Sequence, residues 1–369
     1  MSCSDGRLRE AEVYFAGVPL NDDKIKSVLD RLDLSFVREG KLIGIKLHWG
    51  EENNKTYLPP SIFRPIIDEI KRRGGIPFLT DSLTLYSGKR REAVSAINLA
   101  REHGFDFPDA PIIIADGLRG ENTFKYRISC KHFGELDLCG ILKEADGFVV
   151  VSHFKGHIES GFGGALKNLS MGFASRRLKQ LIHAEVKPSL KEEKCTGCGR
   201  CASICPVSAI RLLGGLPVFN LNICIGCASC IAICPVDALK FIWRHNPVDF
   251  LERLIESAKG VFDHISGRAV FLNFLVNITP QCDCMPYEQE IIFEDIGVFG
   301  SNDPVAIDAL SLELVNNGTP RKTSSIFQKL INAENKIKAI YPDIPFEKQI
   351  EYAEHLGIGS ACAKRIDIK

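Results

Sequence analysis

Eight of the chain's fourteen cysteines fall between Cys195 and Cys234, in two matching runs. One is Cys195-x2-Cys198-x2-Cys201-x3-Cys205-Pro206; the other is Cys224-x2-Cys227-x2-Cys230-x3-Cys234-Pro235. Three closely spaced thiolates can wrap three iron corners of a 4Fe-4S cubane. The fourth, after a longer step, points away and reaches a neighbouring cluster. The spacing therefore assigns Cys195, Cys198, Cys201 and Cys234 to one cluster, and Cys224, Cys227, Cys230 and Cys205 to a second. Gly197 and Gly226 let the loops pass close to the cluster and turn N–H groups toward its sulfurs. Pro206 and Pro235 stop a helix from running through the fourth ligand. A structural zinc ion takes four ligands, which leaves half of the eight cysteines, the repeat and both prolines without a purpose.

A second concentration of chemistry lies upstream, from Ser152 to Gly172, directly after an apolar strand at Phe148–Val151. Gly161, Gly163 and Gly164 permit close approach of a ligand to backbone. A helix starting near Ala165 would offer its first N–H groups to an anion. His153, His157 and His183, with Lys155 and Lys167, lie around it in sequence. Neutral imidazoles shuttle protons or bind metals, and a buried lysine can become a nucleophile. In an open α/β sheet, ligands bind beyond the carboxyl ends of the strands, which is where this stretch falls.

Further along, Cys282-Asp283-Cys284 follows a strand ending near Ile278 and reaches toward the same edge. A C-x-C pair can hold zinc, iron or nickel, with His153 or His157 completing the set. Asp81, Asp116 and the stretch Ser87-Gly88-Lys89-Arg90 also sit at strand ends, where they read equally as anion contacts and as solvated loop residues. Cys3, Cys130, Cys139 and Cys362 have no ligand spacing and read as structural or surface thiols. The basic patch Ser175–Lys179 reads as a solvated helix face.

Three resemblances bear on these residues. The cysteine repeat resembles a bacterial two-cluster ferredoxin over roughly fifty residues, which implies one-electron transfer with a redox partner protein. His153 to Gly172, together with His48-Trp49-Gly50 and Asp303-Pro304-Val305-Ala306-Ile307-Asp308, resembles the domain of unknown function 362. Members of that family often carry an inserted ferredoxin module. More distantly, His157, Gly161-Phe162-Gly163-Gly164, Lys167 and His183 are similar in order and spacing to the active site of the nickel-pincer lactate racemase. That likeness implies Lys167 as a cofactor anchor, His183 as a metal ligand and His157 as an acid/base. Phe162 stands where that motif usually has tyrosine. Its second acid/base histidine has no clear counterpart beyond His48.

These residues must be positioned by the rest of the chain. Strand signals at Val13–Gly17, Leu42–Leu47, Ile76–Thr80, Pro111–Ala115 and Gly147–Val151 alternate with helix signals at Asp22–Arg31, Pro59–Arg73 and Arg90–His103. Continuous apolar strands separated by helices predict an α/β host domain with a mostly parallel sheet. After the cysteines the pattern resumes, with a helix at Val248–Phe262, strands at Ala269–Val276 and Ile291–Phe299, and helices at Pro304–Val315 and Phe346–Leu356. The predicted organisation is one α/β host domain (1–188 and 245–369) interrupted by a small ferredoxin-like α+β module (189–244).

Lysine plus arginine (46) balances aspartate plus glutamate (46), so no charge asymmetry calls for nucleic acid or a membrane surface. The first residues are polar and no apolar run reaches a membrane span, which predicts a cytoplasmic protein. There, cysteines serve as metal ligands more readily than as disulfides. Three functions fit. The first is an oxidoreductase passing electrons from two 4Fe-4S clusters to an anionic small molecule in the host domain. The second is an electron carrier or adaptor with no substrate, and the third a pincer-type metal-dependent isomerase. An additional zinc, nickel or iron ion belongs with the first and third.

Overall fold

A computed structural model describes residues 10–86, 88–183, 186–226, 229–236, 238–243 and 247–368. Its centre is an eight-stranded sheet. Numbered along the chain, its strands are β1 (Ala11–Gly17), β2 (Leu42–Lys46), β3 (Ile76–Asp81), β4 (Ile112–Ile114), β5 (Gly147–His153), β6 (Ala269–Leu275), β7 (Gly297–Ser301) and β8 (Ala363–Asp367). They lie in the order β8-β1-β7-β6-β5-β2-β3-β4. β7 runs antiparallel to both of its neighbours, and every other pair is parallel. The sheet is thus mostly parallel.

β5 and β6 are buried at every position. Alternate side chains feed opposite cores. Phe148, Val150, Phe271 and Leu275 join one core, under the helices Ala165–Phe173, Pro247–Ile265 and Pro304–Asn317. Val149, Val151, Val270, Leu272 and Phe274 join the other, under Asp22–Leu29, Phe63–Arg72 and Ala93–Glu102. A parallel sheet covered on both faces needs apolar residues at both parities, which is why these strands read as unbroken apolar runs.

The helix ends are capped as their sequences suggest. Asn21 accepts from Lys24 N–H, and Asp303 accepts from Val305 and Ala306 N–H with Pro304 at the first helical position. The predicted strand at Ile291–Phe299 is displaced. Phe293 makes only an isolated bridge with Pro320, and the sheet strand is Gly297–Ser301. Ile292 and Phe293 are fully buried, so the apolar run marks burial and not extended pairing.

The cysteine-rich segment leaves and rejoins the host through paired antiparallel strands, Val186–Leu190 and Leu239–Trp243. Inside it are a hairpin, Ile210–Leu213 with Leu216–Phe219, and two short helices, Arg200–Ile204 and Ser229–Ala232. Its small core of Ile210, Cys230, Ile231 and Leu239 takes in Ile158 from the host. No helix among the described residues is long and apolar enough to cross a membrane.

Candidate functional site

The carboxyl ends of β2, β3 and β5 deliver Lys46, Asp81 and His153 to one edge of the sheet, and a cavity of about 320 Å³ opens there. The glycine-rich stretch forms its wall. Lys155–His157 pairs antiparallel with Gly161–Gly163, and the helix Ala165–Phe173 follows. Cys282 and Cys284 close another side. Ile204, Ser229, Ile231 and Ile233, all from the cysteine-rich segment, also line the cavity.

The cavity wall is heavily charged, and most charges are paired. Lys46, 1% exposed, places Nζ 2.8 Å from Asp81 Oδ1 and donates to Asn168 Oδ1 at 2.7 Å. Arg90 holds the other Asp81 oxygen at 2.5 Å. Burial raises the Asp81 carboxyl, but the Lys46 and Arg90 charges outweigh it and pull it down. Lys155 Nζ lies 2.7 Å from Asp283 Oδ2. Lys179 is buried and donates to Ser82 Oγ and Leu83 O. It is therefore part of the wall, and the solvated reading of Ser175–Lys179 fails at this residue. Asp81 and Asp116 are likewise buried and not solvated, at 3% and 0% exposure. Ser87 lies outside the described residues.

Lys167 differs from these cations. Among the described residues nothing forms an ion pair or hydrogen bond with its ammonium group, which is half-buried at the cavity wall. Burial is what chiefly depresses the basicity of His48 and His157; the Lys167 charge adds to it and also favours the thiolate of Cys282.

The histidines are not equivalent. His157 Nδ1 accepts from Glu159 and Ser160 N–H, at 3.2 and 3.1 Å, which leaves the ring proton on Nε2. Burial, and then the Lys167 charge, push His157 well below its ordinary value, so it is neutral near pH 7. His183 uses both nitrogens within the protein, Nδ1 with Lys179 O and Nε2 with Glu159 at 3.2 Å. His153 does the same, with Asp283 and Val276 O. Neither has a free lone pair for a metal in this arrangement, so His153 does not complete a ligand set with the C-x-C pair. His48 is held between Gly50 N–H and the Arg90 guanidinium.

The glycines serve packing more than ligand approach. A Cβ on Gly164 would lie 2.2 Å from Asp308 Oδ1, and one on Gly161 (φ +78) 2.4 Å from Phe346 Cβ. Asp308 needs that space. Its carboxylate accepts from Ala165 and Leu166 N–H, at 2.7 and 2.9 Å. The helix N-terminus expected to hold a ligand anion is thus already capped. Gly163 and Gly164 line the cavity, whereas Gly161 is not among its lining residues.

Cys282 and Cys284 come together. Cys284 N–H points to Cys282 Sγ at 3.4 Å. The neighbouring Cys284, against the opposing effect of burial and with help from Lys167 and Lys155, lowers the Cys282 thiol. Cys284 rises correspondingly.

Two smaller cavities occur in the cysteine-rich segment. Cys195, Cys198, Cys201 and Cys234 surround one, and Cys205, Cys224 and Cys230 the other; Cys227 lies outside the described residues. Each run thus sends its fourth cysteine to the other run's cavity. Ala209 N–H points to Cys205 Sγ at 3.1 Å and Ala238 N–H to Cys234 Sγ at 3.2 Å, the same geometry in both repeats. Of the remaining cysteines, Cys139 is buried in the core, Cys130 is half-buried, Cys362 is disulfide-bonded, and Cys3 lies outside the described residues.

One donor group went unread in the sequence. His132, Asp249 and Glu252 bring their ligand atoms within 4.8 Å of one another, a geometry that could hold a metal ion. Lys131 already sits 2.7 Å from Glu252 there, and none of the three residues lines the main cavity. Lys46 and Lys179 were also missed as wall residues. A lysine inside the apolar run Leu42–Leu47 was the available signal for the first.

Fold and site define an open α/β protein with a ligand-sized cavity at the carboxyl edge of its sheet. The chain belongs to the family described as Domain of unknown function (DUF362), whose model matches residues 43–313. No curated protein matches it. Among solved structures it is similar to the lactate racemase apoprotein from Thermoanaerobacterium thermosaccharolyticum, at 15% identity and TM-score 0.43, covering 86% of this chain and 59% of that one. It is also similar to a structural-genomics protein from Thermotoga maritima, at 13% identity and TM-score 0.42, covering 91% and 60%. The chain therefore spans about 60% of the length of either protein.

Proposed function

We propose that this chain is an iron–sulfur oxidoreductase of the cell interior, in which electrons pass to an anionic small molecule bound in the main cavity. One observation carries the reading. Ser229 and Ile231 line both the main cavity and the small cavity of Cys205, Cys224 and Cys230. One layer of residues separates the two spaces.

The residues fit the implied groups. Four thiols surround one small cavity and three surround the other, and a backbone N–H faces the sulfur of the crossing cysteine in each. Such N–H contacts stabilise thiolates that bind iron. Cys195, Cys198, Cys201 and Cys234 would hold one 4Fe-4S cluster, and Cys205, Cys224, Cys227 and Cys230 the second. When bound, the clusters supply one-electron transfer. Cys198 is exposed, whereas Cys230 is buried beside the main cavity. In this reading the first set takes electrons from a redox partner protein and the second passes them to the ligand.

The host residues supply the remainder. Lys167, with no internal partner among the described residues, pairs with the ligand's negative charge. Neutral His157 holds its ring proton on Nε2 and can donate a hydrogen bond from it to the ligand. Lys46, Arg90 and Lys155 are held by Asp81 and Asp283, so they shape the field of the cavity without competing for the ligand.

The test is iron and acid-labile sulfide per chain on anaerobically purified protein, for the wild type and for Cys198→Ser and Cys227→Ser. About eight of each are expected in the wild type, and about four in either variant, because each loses one thiolate corner. Unchanged iron in both variants removes the cluster assignment. Full iron with no small anion bound at the cavity, by calorimetry across a carboxylate and phosphate series, leaves an electron carrier instead.

A further inference from the structure

Cys282 and Cys284 have a use that iron binding by the other cysteines leaves open. They lie in the main cavity wall, which the cysteine-rich segment also lines, and both are free thiols in this structure. Their loop is folded, not extended, since Met285 N–H bonds Cys282 O at 3.1 Å and closes a tight turn. In an extended strand, α-carbons two residues apart lie about 6.8 Å from each other. That is the upper edge of the separation a disulfide spans, and a turn shortens it. Cys284 N–H already reaches Cys282 Sγ at 3.4 Å, which draws the second residue back over the first sulfur. The turn is pinned from three sides. Gln289 donates to Cys282 O at 2.8 Å, Glu51 N–H bonds Asp283 O at 3.0 Å, and the Asp283 carboxylate is held inward by His153 and Lys155. The aspartate between the two cysteines thus faces the protein, while both cysteines line the cavity.

We propose that Cys282 and Cys284 form a dithiol–disulfide couple that stores an electron pair at the cavity. The inference rests on the reading of the chain as an iron–sulfur oxidoreductase. In the oxidised state an S–S bond joins the two residues. Reduction consumes two electrons and two protons, breaks that bond and leaves two S–H groups. A low-potential one-electron donor, such as a reduced viologen or a small iron–sulfur protein, supplies the electrons singly through the clusters, and solvent supplies the protons. The pair thereby turns one-electron delivery into a two-electron reservoir beside Lys167. The reverse step, thiolate attack by Cys282 on an organic disulfide and resolution by Cys284, returns the S–S bond and releases two thiols.

The experiment uses the anaerobically purified, iron-loaded full chain, oxidised briefly with an organic disulfide and freed of it. Reduced methyl viologen is titrated in, and a maleimide then labels thiols for peptide mass spectrometry. The wild type is expected to take about two electrons for the clusters and two for the pair, beyond those taken by the Cys362 disulfide that every form shares. Before reduction, Cys282 and Cys284 escape the label and their peptide is lighter by two hydrogens. The double variant Cys282→Ser with Cys284→Ser, with iron unchanged, is expected to take about two electrons fewer. The same electron count in both forms, or full labelling before reduction, overturns the couple while leaving the clusters in place. Protection that a metal chelator removes and viologen does not also overturns it, in favour of a metal at the pair. Low iron in the wild type counts against the proposed function. The labelling result then decides the couple by itself, with a chemical dithiol as reductant.

Discussion

At the scale of single residues, the cavity is built from charges that sequence reading places poorly. Lys46 and Lys179 are buried because Asp81, Asn168, Ser82 and Leu83 satisfy them, and those partners come from separate parts of the chain. Lys167, in contrast, was legible. It follows the glycine-rich turn directly and proves to be the cavity-wall ammonium group without a partner among the described residues. Asp308 shows what burial does to a needed charge. Desolvation raises its carboxyl to about 6 despite hydrogen bonds from Leu166 N–H, Asn273 and Ala165 N–H. A folded-state value above the unfolded 3.8 adds stability that is fully present below 3.8 and is lost as pH rises through 6. Relative to Asp308→Asn, the wild type should therefore lose about 1.4 kcal/mol between pH 5 and pH 7.5, in urea unfolding monitored at both pH values. A difference that stays flat across that window means the carboxyl titrates normally.

At the scale of elements, helices were read within a few residues because their caps are local. Asn21, Asp303 and Pro304 sit at the boundaries they set. Asp303 also accepts from Ser360 N–H at 2.8 Å, tying the last loop to this helix. Asp303→Ala should lower stability by about 1–2 kcal/mol in denaturant unfolding, with the helix start losing its cap. A cost near zero would show that Pro304 and packing alone fix the helix start. The element reading failed where apolar character was separated from pairing. Ile291–Phe299 looked like a strand, yet only Gly297–Ser301 joins the sheet. The hairpin Thr123–Arg127 with Glu135–Cys139 and the edge strand Ala363–Asp367 were not read at all. Both are mixed in polarity, and edge strands carry a weak alternating signal.

At the scale of the whole molecule, the interrupted α/β chain acquires its meaning. The cysteine-rich segment lines part of the main cavity, with Ile158 of the host in its small core. That segment's own core is small, so bound metal should contribute much of its order. Removing iron should therefore raise the rate of Cys282 alkylation by iodoacetamide by about tenfold or more, measured against the iron-loaded chain. Equal rates would mean that packing through Ile158, Ile210 and Ile231 closes the cavity without metal.

The sequence by itself determined the α/β class, the parallel strands, the local caps and the repeat of eight cysteines. Each of these depends on period, on neighbours within a turn, or on a spacing that the chain fixes covalently. Only the tertiary structure decided which charges are paired, that Asp308 occupies the helix N-terminus meant for an anion, and that His153 and His183 use both their nitrogens internally. It also decided that Cys282, Cys284 and the cysteine-rich segment share one cavity. Hydrogen bonds and ion pairs between residues 35 to 143 positions apart leave no periodic mark on the chain, because their partners are chosen by how the sheet stacks its helices.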